Sequence, residues 1–113
     1  MLSPGVVEVD GGQVVAVGPA RGPAPDRILC PGFVDLQVNG HEDLDVTEAR
    51  GADWDHLDLL LVAQGVTAWC PTLISAPLAE YGPALEAIAG AAARPPAPRP
   101  SIAGAHLEGP FLA

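Results

Sequence analysis

Three apolar runs, Phe33–Val38, Val66–Ile74 and Ser101–Glu108, are separated by two segments with helical spacing. That alternation constrains the fold more than any other feature. Strand, helix, strand, helix, strand implies βαβ units on a parallel sheet, an α/β architecture. The helix-containing crossovers are expected to be right-handed. The first helix is expected from about Asp53 to Gln64, with Asp53 or Asp55 as its cap and Leu57, Leu60 and Leu61 as its apolar face. Gly65 follows where a helix-ending glycine belongs. The second helix is expected from Leu78 to Ala93, with Leu85, Ile88 and Ala92 on one side and the stiff Pro95–Pro100 segment ending it. Pro71 falls inside the second strand and weakens that assignment, because proline cannot donate to a ladder.

Ahead of this alternation, Val6-Val7-Glu8-Val9 and Gln13-Val14-Val15-Ala16-Val17 flank Asp10-Gly11-Gly12. Asp-Gly between β-branched runs is a hairpin signal, and Gly18 to Pro25 reads as a loop. A hairpin alone is marginal in water, so these strands need further partners. The organisation expected is therefore an N-terminal strand region over 1–29 and an α/β region over 30–113. With 113 residues, the chain cannot hold a complete (β/α)8 barrel, which takes roughly 250 residues. It reads as the front part of an enzyme.

Charge narrows the function. Fourteen acidic residues against five arginines and no lysine leave a net charge of -9. Such a chain repels nucleic acid phosphates and anionic membrane surfaces. Met1-Leu2-Ser3-Pro4 has neither a basic start nor a long apolar stretch, so no signal peptide or membrane span is expected, and a cytoplasmic location follows by default. Cys30 and Cys70 lie in apolar stretches and are expected to be buried, reduced thiols.

The chemistry-bearing residues cluster at strand ends. Glu108 ends the third strand, just before the strand-breaking Gly109-Pro110 pair. α/β enzymes place catalytic carboxylates and metal ligands at such positions. From the residues alone, Glu108 can ligate a divalent metal, act in acid–base chemistry, cap the following loop or pair with an arginine. His106 lies two residues earlier, on the same side of the strand, as a supporting or core imidazole. Gln37 and Asn39 repeat the same spacing at the end of the first strand, Phe33–Val38, which is expected to be a buried strand whose C-terminal end reaches a site. Amides are poor metal ligands, which leaves hydrogen bonding to water, substrate or a neighbouring ligand, or closure of the turn into Gly40. The acidic run Glu42–Glu48 fails as a calcium loop, since its sixth position lacks glycine and its twelfth, from Asp43, is Trp54. It is expected to be a solvated loop, with His41 and His56 as surface histidines. No G-x-S-x-G, phosphate-binding loop or G-x-G-x-x-G occurs, so serine-hydrolase and nucleotide-binding readings have no support.

Taken together, Pro31-Gly32-Phe33-Val34-Asp35-Leu36-Gln37-Val38-Asn39-Gly40, then Gly65-Val66-Thr67 with Pro71-Thr72-Leu73, then His106-Leu107-Glu108-Gly109-Pro110-Phe111 resemble the N-acetylglucosamine-6-phosphate deacetylase family of the amidohydrolase superfamily. The resemblance implies the first three β/α units of a metal-dependent-hydrolase TIM barrel, preceded by a β-hairpin of a small β-sandwich domain. It implies deacetylation of an amino-sugar phosphate with one divalent metal ion, zinc in the first instance. Glu108 matches the family's carboxylate ligand. Gln37 and Asn39 stand where many superfamily members carry a His-x-His pair, which points to a single-metal site. The family's histidine ligands, its acid–base aspartate and its phosphate-binding groups belong to later strands, so the 113 residues alone are expected to be inactive. The resemblance also allows a homodimer for the whole enzyme. Two other readings remain at this point: an amidohydrolase acting on a cyclic amide or another N-acyl substrate, and a non-catalytic truncated chain needing a partner.

Overall fold

The structure, a computed structural model, describes residues 4–20, 22–23, 26–95 and 97–111. Parts of the expected 18–25 loop and 95–100 connector, and the last two residues, lie outside the described residues. The chain divides into two compact units after Pro31.

The first unit is a hairpin. β1 (Gly5–Asp10) and β2 (Gln13–Pro19) pair antiparallel across the Gly11-Gly12 turn, with a bulge at Glu8/Val9. β2 extends through Gly18 and Pro19, which the sequence assigns to the loop. Val6, Val9, Val14, Val15 and Val17 are all exposed. Among the described residues the hairpin pairs with no further strand, which leaves this apolar surface uncovered.

The second unit carries the alternation. β3 (Phe33–Val38), α1 (Asp53–Ala63), β6 (Val66–Leu73), α2 (Leu78–Ala92), β7 (Ser101–Ile102) and β8 (His106–Leu107) follow in order, with β4 (Gly40–His41) and β5 (Leu44–Asp45) between β3 and α1. β3 runs parallel to β6 on one edge, and β7 and β8 run parallel to it on the other. β6 is thus the central strand, and Trp69 and Leu73 lie on one of its faces in the core. Trp54 and Leu57 from α1 meet them there, with Tyr81 and Ile88 from α2. The Trp54 and Trp69 rings sit 6.3 Å apart, tilted by 44°, a spacing typical of attractive aromatic pairs.

Pro71 is accommodated in this central strand by position. β7 pairs with Ala68 and Trp69, and β8 pairs with Thr72 and Leu73, so Pro71 falls between the two ladders. On the other edge the β3–β6 register shifts between Asp35 and Val38. The Val38 N–H takes the Thr72 hydroxyl at 3.0 Å as its acceptor. A side-chain acceptor on β6 thereby receives a backbone donor of β3 next to Pro71, which has no N–H of its own.

Several sequence expectations are corrected. β3 is an edge strand, so Phe33, Val34 and Leu36 are exposed where a buried strand was expected, and only Val38 is buried. The third strand is broken: Ala103-Gly104-Ala105 interrupts it, leaving β7 and β8 as two short pieces. Residues 41–50 are not a solvated loop throughout. They include all of the β4–β5 hairpin except Gly40, and Val46 and Ala49 are core residues. α1 has Ala52 at its N-cap without a side-chain cap, because the Asp53 carboxylate accepts the Arg50 N–H at 2.8 Å instead. Gly65, at φ +81°, stands just past α1 as expected, since left-handed backbone costs glycine no Cβ clash. On α2 the buried face is Tyr81, Ala84, Ile88 and Ala91; Leu85 is half-buried and Ala92 exposed. Cys30 is exposed and Cys70 half-exposed, so neither thiol is buried.

The helices are tied together by charge. The Arg94 guanidinium, just past α2, pairs with Asp55 and, at 2.7 Å, with Asp58 on α1; Arg99 lies 3.9 Å from Asp58. Asp58 is buried and its Oδ1 has no partner among the described residues. Burial pushes its carboxyl above the ordinary 3.8, against the lowering pull of Arg94 and Arg99. The folded protein therefore holds this proton more tightly than the unfolded chain. Stability from the group is full below the unfolded value and is lost as pH rises through the folded one. In denaturant titrations of the whole protein at a series of pH values, wild type is expected to lose stability relative to Asp58→Asn over that rise. Parallel pH profiles would contradict this.

Candidate functional site

Glu108 is fixed by its backbone on both sides. Its N–H donates to the Leu73 carbonyl at 2.8 Å, continuing the β6–β8 ladder by one residue. Its own carbonyl accepts the Ser75 hydroxyl at 3.1 Å. The chain then turns at Gly109, with φ +108°. A Cβ there would collide with the Ser75 hydroxyl, so the Glu108-Gly109 turn packs directly against the end of β6. The Gly109–Pro110 bond is cis.

The Glu108 side chain meets the end of β3. Gln37 Nε2 donates to Glu108 Oε2 at 3.0 Å, across 71 positions of sequence. The β3 irregularity between Asp35 and Val38 includes Gln37, and bulges of this kind re-aim side chains at sheet edges. The amide occupies one carboxylate oxygen, while Oε1 has no hydrogen bond among the described residues. Amide-held on one oxygen and open on the other, the carboxylate is oriented and able to accept a cation or a proton.

The structure brings three of the four sequence-selected residues to this strand-end region. Glu108 and Gln37 touch. His106 lies in register with Thr72, its Nδ1 3.3 Å from the Thr72 hydroxyl. Asn39 lies elsewhere: its carbonyl accepts the Val46 N–H at 2.8 Å, and it lines a cleft with His41 and the β4–β5 turn. A second cleft is walled by Asp45, Glu48, Tyr81 and the Leu73–Pro77 segment. Neither cleft is lined by Glu108. His41 is not a simple surface histidine. It is half-buried, its Nε2 contacts the Gln64 amide, and its Nδ1 is buried without a partner among the described residues; His56 is exposed as expected.

Thr72 and Ser75 were not singled out by the sequence reading. Thr72 did carry a signal, as a hydroxyl residue directly after a proline in a central strand. Ser75 carried none. Among the described residues no group of three or more His, Cys, Asp and Glu side chains gathers to hold a metal. No helix of the structure is long and apolar enough to cross a membrane.

The parallel βα units carry a carboxylate at a strand end, a position where α/β enzymes place catalytic groups and metal ligands. Comparison with known proteins sharpens this. The chain is 38% identical over 89 residues to N-acetylglucosamine-6-phosphate deacetylase of Rattus norvegicus, covering 76% of this chain and 21% of that protein. It is 31% identical over 109 residues to N-acetylgalactosamine-6-phosphate deacetylase of Escherichia coli O157:H7, covering 94% of this chain and 29% of that protein. Among solved structures, N-acetylglucosamine-6-phosphate deacetylase of Thermotoga maritima superposes with a TM-score of 0.81 at 31% identity, over 95% of this chain and 28% of that one. No protein-family model matches the chain. The similarity falls in the N-terminal portion of these deacetylases. The chain spans between a fifth and a third of the length of these relatives.

The Gly109–Ser75 packing has a measurable consequence. Gly109→Ala is expected to destabilise the whole protein by about 1–3 kcal/mol through forced backbone strain, with more from the collision with Ser75. Adding Ser75→Ala should recover the collision part and leave the strain. Strict additivity of the two substitutions in urea unfolding would contradict the packing.

Proposed function

We propose that this chain is the N-terminal part of a metal-dependent deacetylase that hydrolyses N-acetylglucosamine 6-phosphate to glucosamine 6-phosphate and acetate. The observation that carries the reading is the Gln37–Glu108 pair, found in a chain that matches these deacetylases in sequence and superposes on one of them. In this reading β3, β6 and the broken β7–β8 strand are the first three strands of a TIM barrel, and the 1–29 hairpin belongs to a small β-sandwich. A cytoplasmic enzyme, homodimeric when whole, completes the proposal.

The donor set fits one ligand position of a single divalent ion, zinc in the first instance. Glu108 offers one carboxylate oxygen that has no hydrogen bond among the described residues. Gln37, which stands where a second metal would need imidazole, is engaged as a hydrogen-bond donor to that carboxylate. An amide spent in this way supports a one-metal site. When bound, the ion supplies Lewis acidity toward the acetamide carbonyl and lowers the pKa of a water. Within this chain, Glu108 contributes a charged ligand, Gln37 holds its orientation, and His106 is assigned to the substrate pocket, whereas Asn39 lines the separate cleft at the β4–β5 turn. The remaining ligands, the general base and the phosphate-binding groups come from the length of the relatives that this chain does not span.

Acetate release from N-acetylglucosamine 6-phosphate by the whole protein is expected, abolished by a chelator and restored by zinc. The N-acetylgalactosamine 6-phosphate epimer belongs beside it, because one relative bears that name. The 113-residue polypeptide alone is expected to release none. Chelator-insensitive release, preference for a cyclic amide, or activity in the isolated 113 residues would overturn the proposal.

A further inference from the structure

Three strands meet on one hydroxyl. Thr72, 1% exposed, lies on β6 with its Oγ1 3.0 Å from the Val38 nitrogen on β3, 3.1 Å from the Cys70 carbonyl and 3.3 Å from His106 Nδ1 on β8. A hydroxyl has one proton and two acceptor positions. The Val38 N–H can only donate, and the Cys70 carbonyl can only accept. These two contacts use one lone pair and the proton. What remains toward His106 is a lone pair, so Nδ1 must carry the proton. If the hydroxyl donated to His106 instead, its oxygen would face the Cys70 carbonyl oxygen at 3.1 Å with no proton between them.

A neutral imidazole protonated at Nδ1 keeps an unprotonated lone pair on Nε2. We propose that Thr72 is a positioning residue that fixes His106 as the Nδ1–H tautomer, so that Nε2 serves as a hydrogen-bond acceptor two residues from Glu108. The group it would accept from is a hydroxyl or amide N–H of a bound amino sugar. That catalytic consequence rests on the deacetylase reading, whereas the tautomer rests only on the three contacts. The same hydroxyl ties the ends of β3 and β8 to β6, and these are the strand ends that present Gln37 and Glu108. Neither the hairpin turn nor the Asp58 cluster couples two site residues in this way.

The test is 15N spectroscopy of the histidine rings of the whole protein, metal-free and in mildly alkaline buffer, with His106 assigned by its loss in His106→Asn. Wild type and Thr72→Ser are expected to show a pyrrole-type Nδ1 and a pyridine-type Nε2. Thr72→Val is expected to lose that preference and to lower kcat/KM for N-acetylglucosamine 6-phosphate by about 10–100-fold, with Thr72→Ser retaining most of it. A pyrrole-type Nε2 in wild type overturns the proposal without any variant having to fold. An unchanged pattern in Thr72→Val overturns it as well. A protein that releases no acetate overturns the deacetylase reading instead, and the ring nitrogens still decide the role of Thr72.

Discussion

The pairing of β6 along both of its edges holds the rest of the α/β unit in place. β3 lies on one side and β7 with β8 on the other, while Trp69 and Leu73 anchor the same strand to the two helices. A parallel strand in this position is buried, and its backbone groups must all find partners. Pro71 removes one donor from that strand. That position falls in the gap between two short ladders on one edge, while on the other edge the neighbouring Thr72 hydroxyl accepts the Val38 N–H. Directly after the proline, the Thr72 side chain links three strands.

The candidate site follows from the same geometry. Glu108 is set by backbone bonds to Leu73 and Ser75, both contributed by β6 and the residues just after it. Gln37 reaches it from the opposite edge. A carboxylate held at its N–H, its carbonyl and one side-chain oxygen has little freedom left. That preorganisation is what a metal ligand or an acid–base group needs. The helices contribute at a distance, by packing on the other face and by the Asp58–Arg94 pair that joins the middle of α1 to the end of α2.

Much of this was legible in the sequence because periodicity reports directly on burial. Phe33–Val38, α1 and α2 fall within a residue or two of where apolar spacing puts them. The site residues Glu108 and Gln37 were legible as strand-end polar groups followed by turn signals. Their pairing was not, because it depends on an irregular register that no local pattern encodes. The broken third strand was missed for a related reason: Ala-Gly-Ala is apolar and continues the pattern while lacking the β-branched residues that hold a ladder. β3 reads as buried because its composition suits a covered strand, yet among the described residues nothing covers Phe33, Val34 and Leu36. Val46 and Ala49 were hidden among acidic neighbours that face solvent.

The central claim is that this chain contributes Glu108 as a protein ligand to a single metal ion. Equilibrium dialysis of the whole protein against zinc tests it most directly, with Glu108→Gln beside wild type. The account predicts one ion per chain in wild type and a loss of tight binding in the variant. Two tightly bound ions in wild type, or undiminished binding in Glu108→Gln, would contradict it.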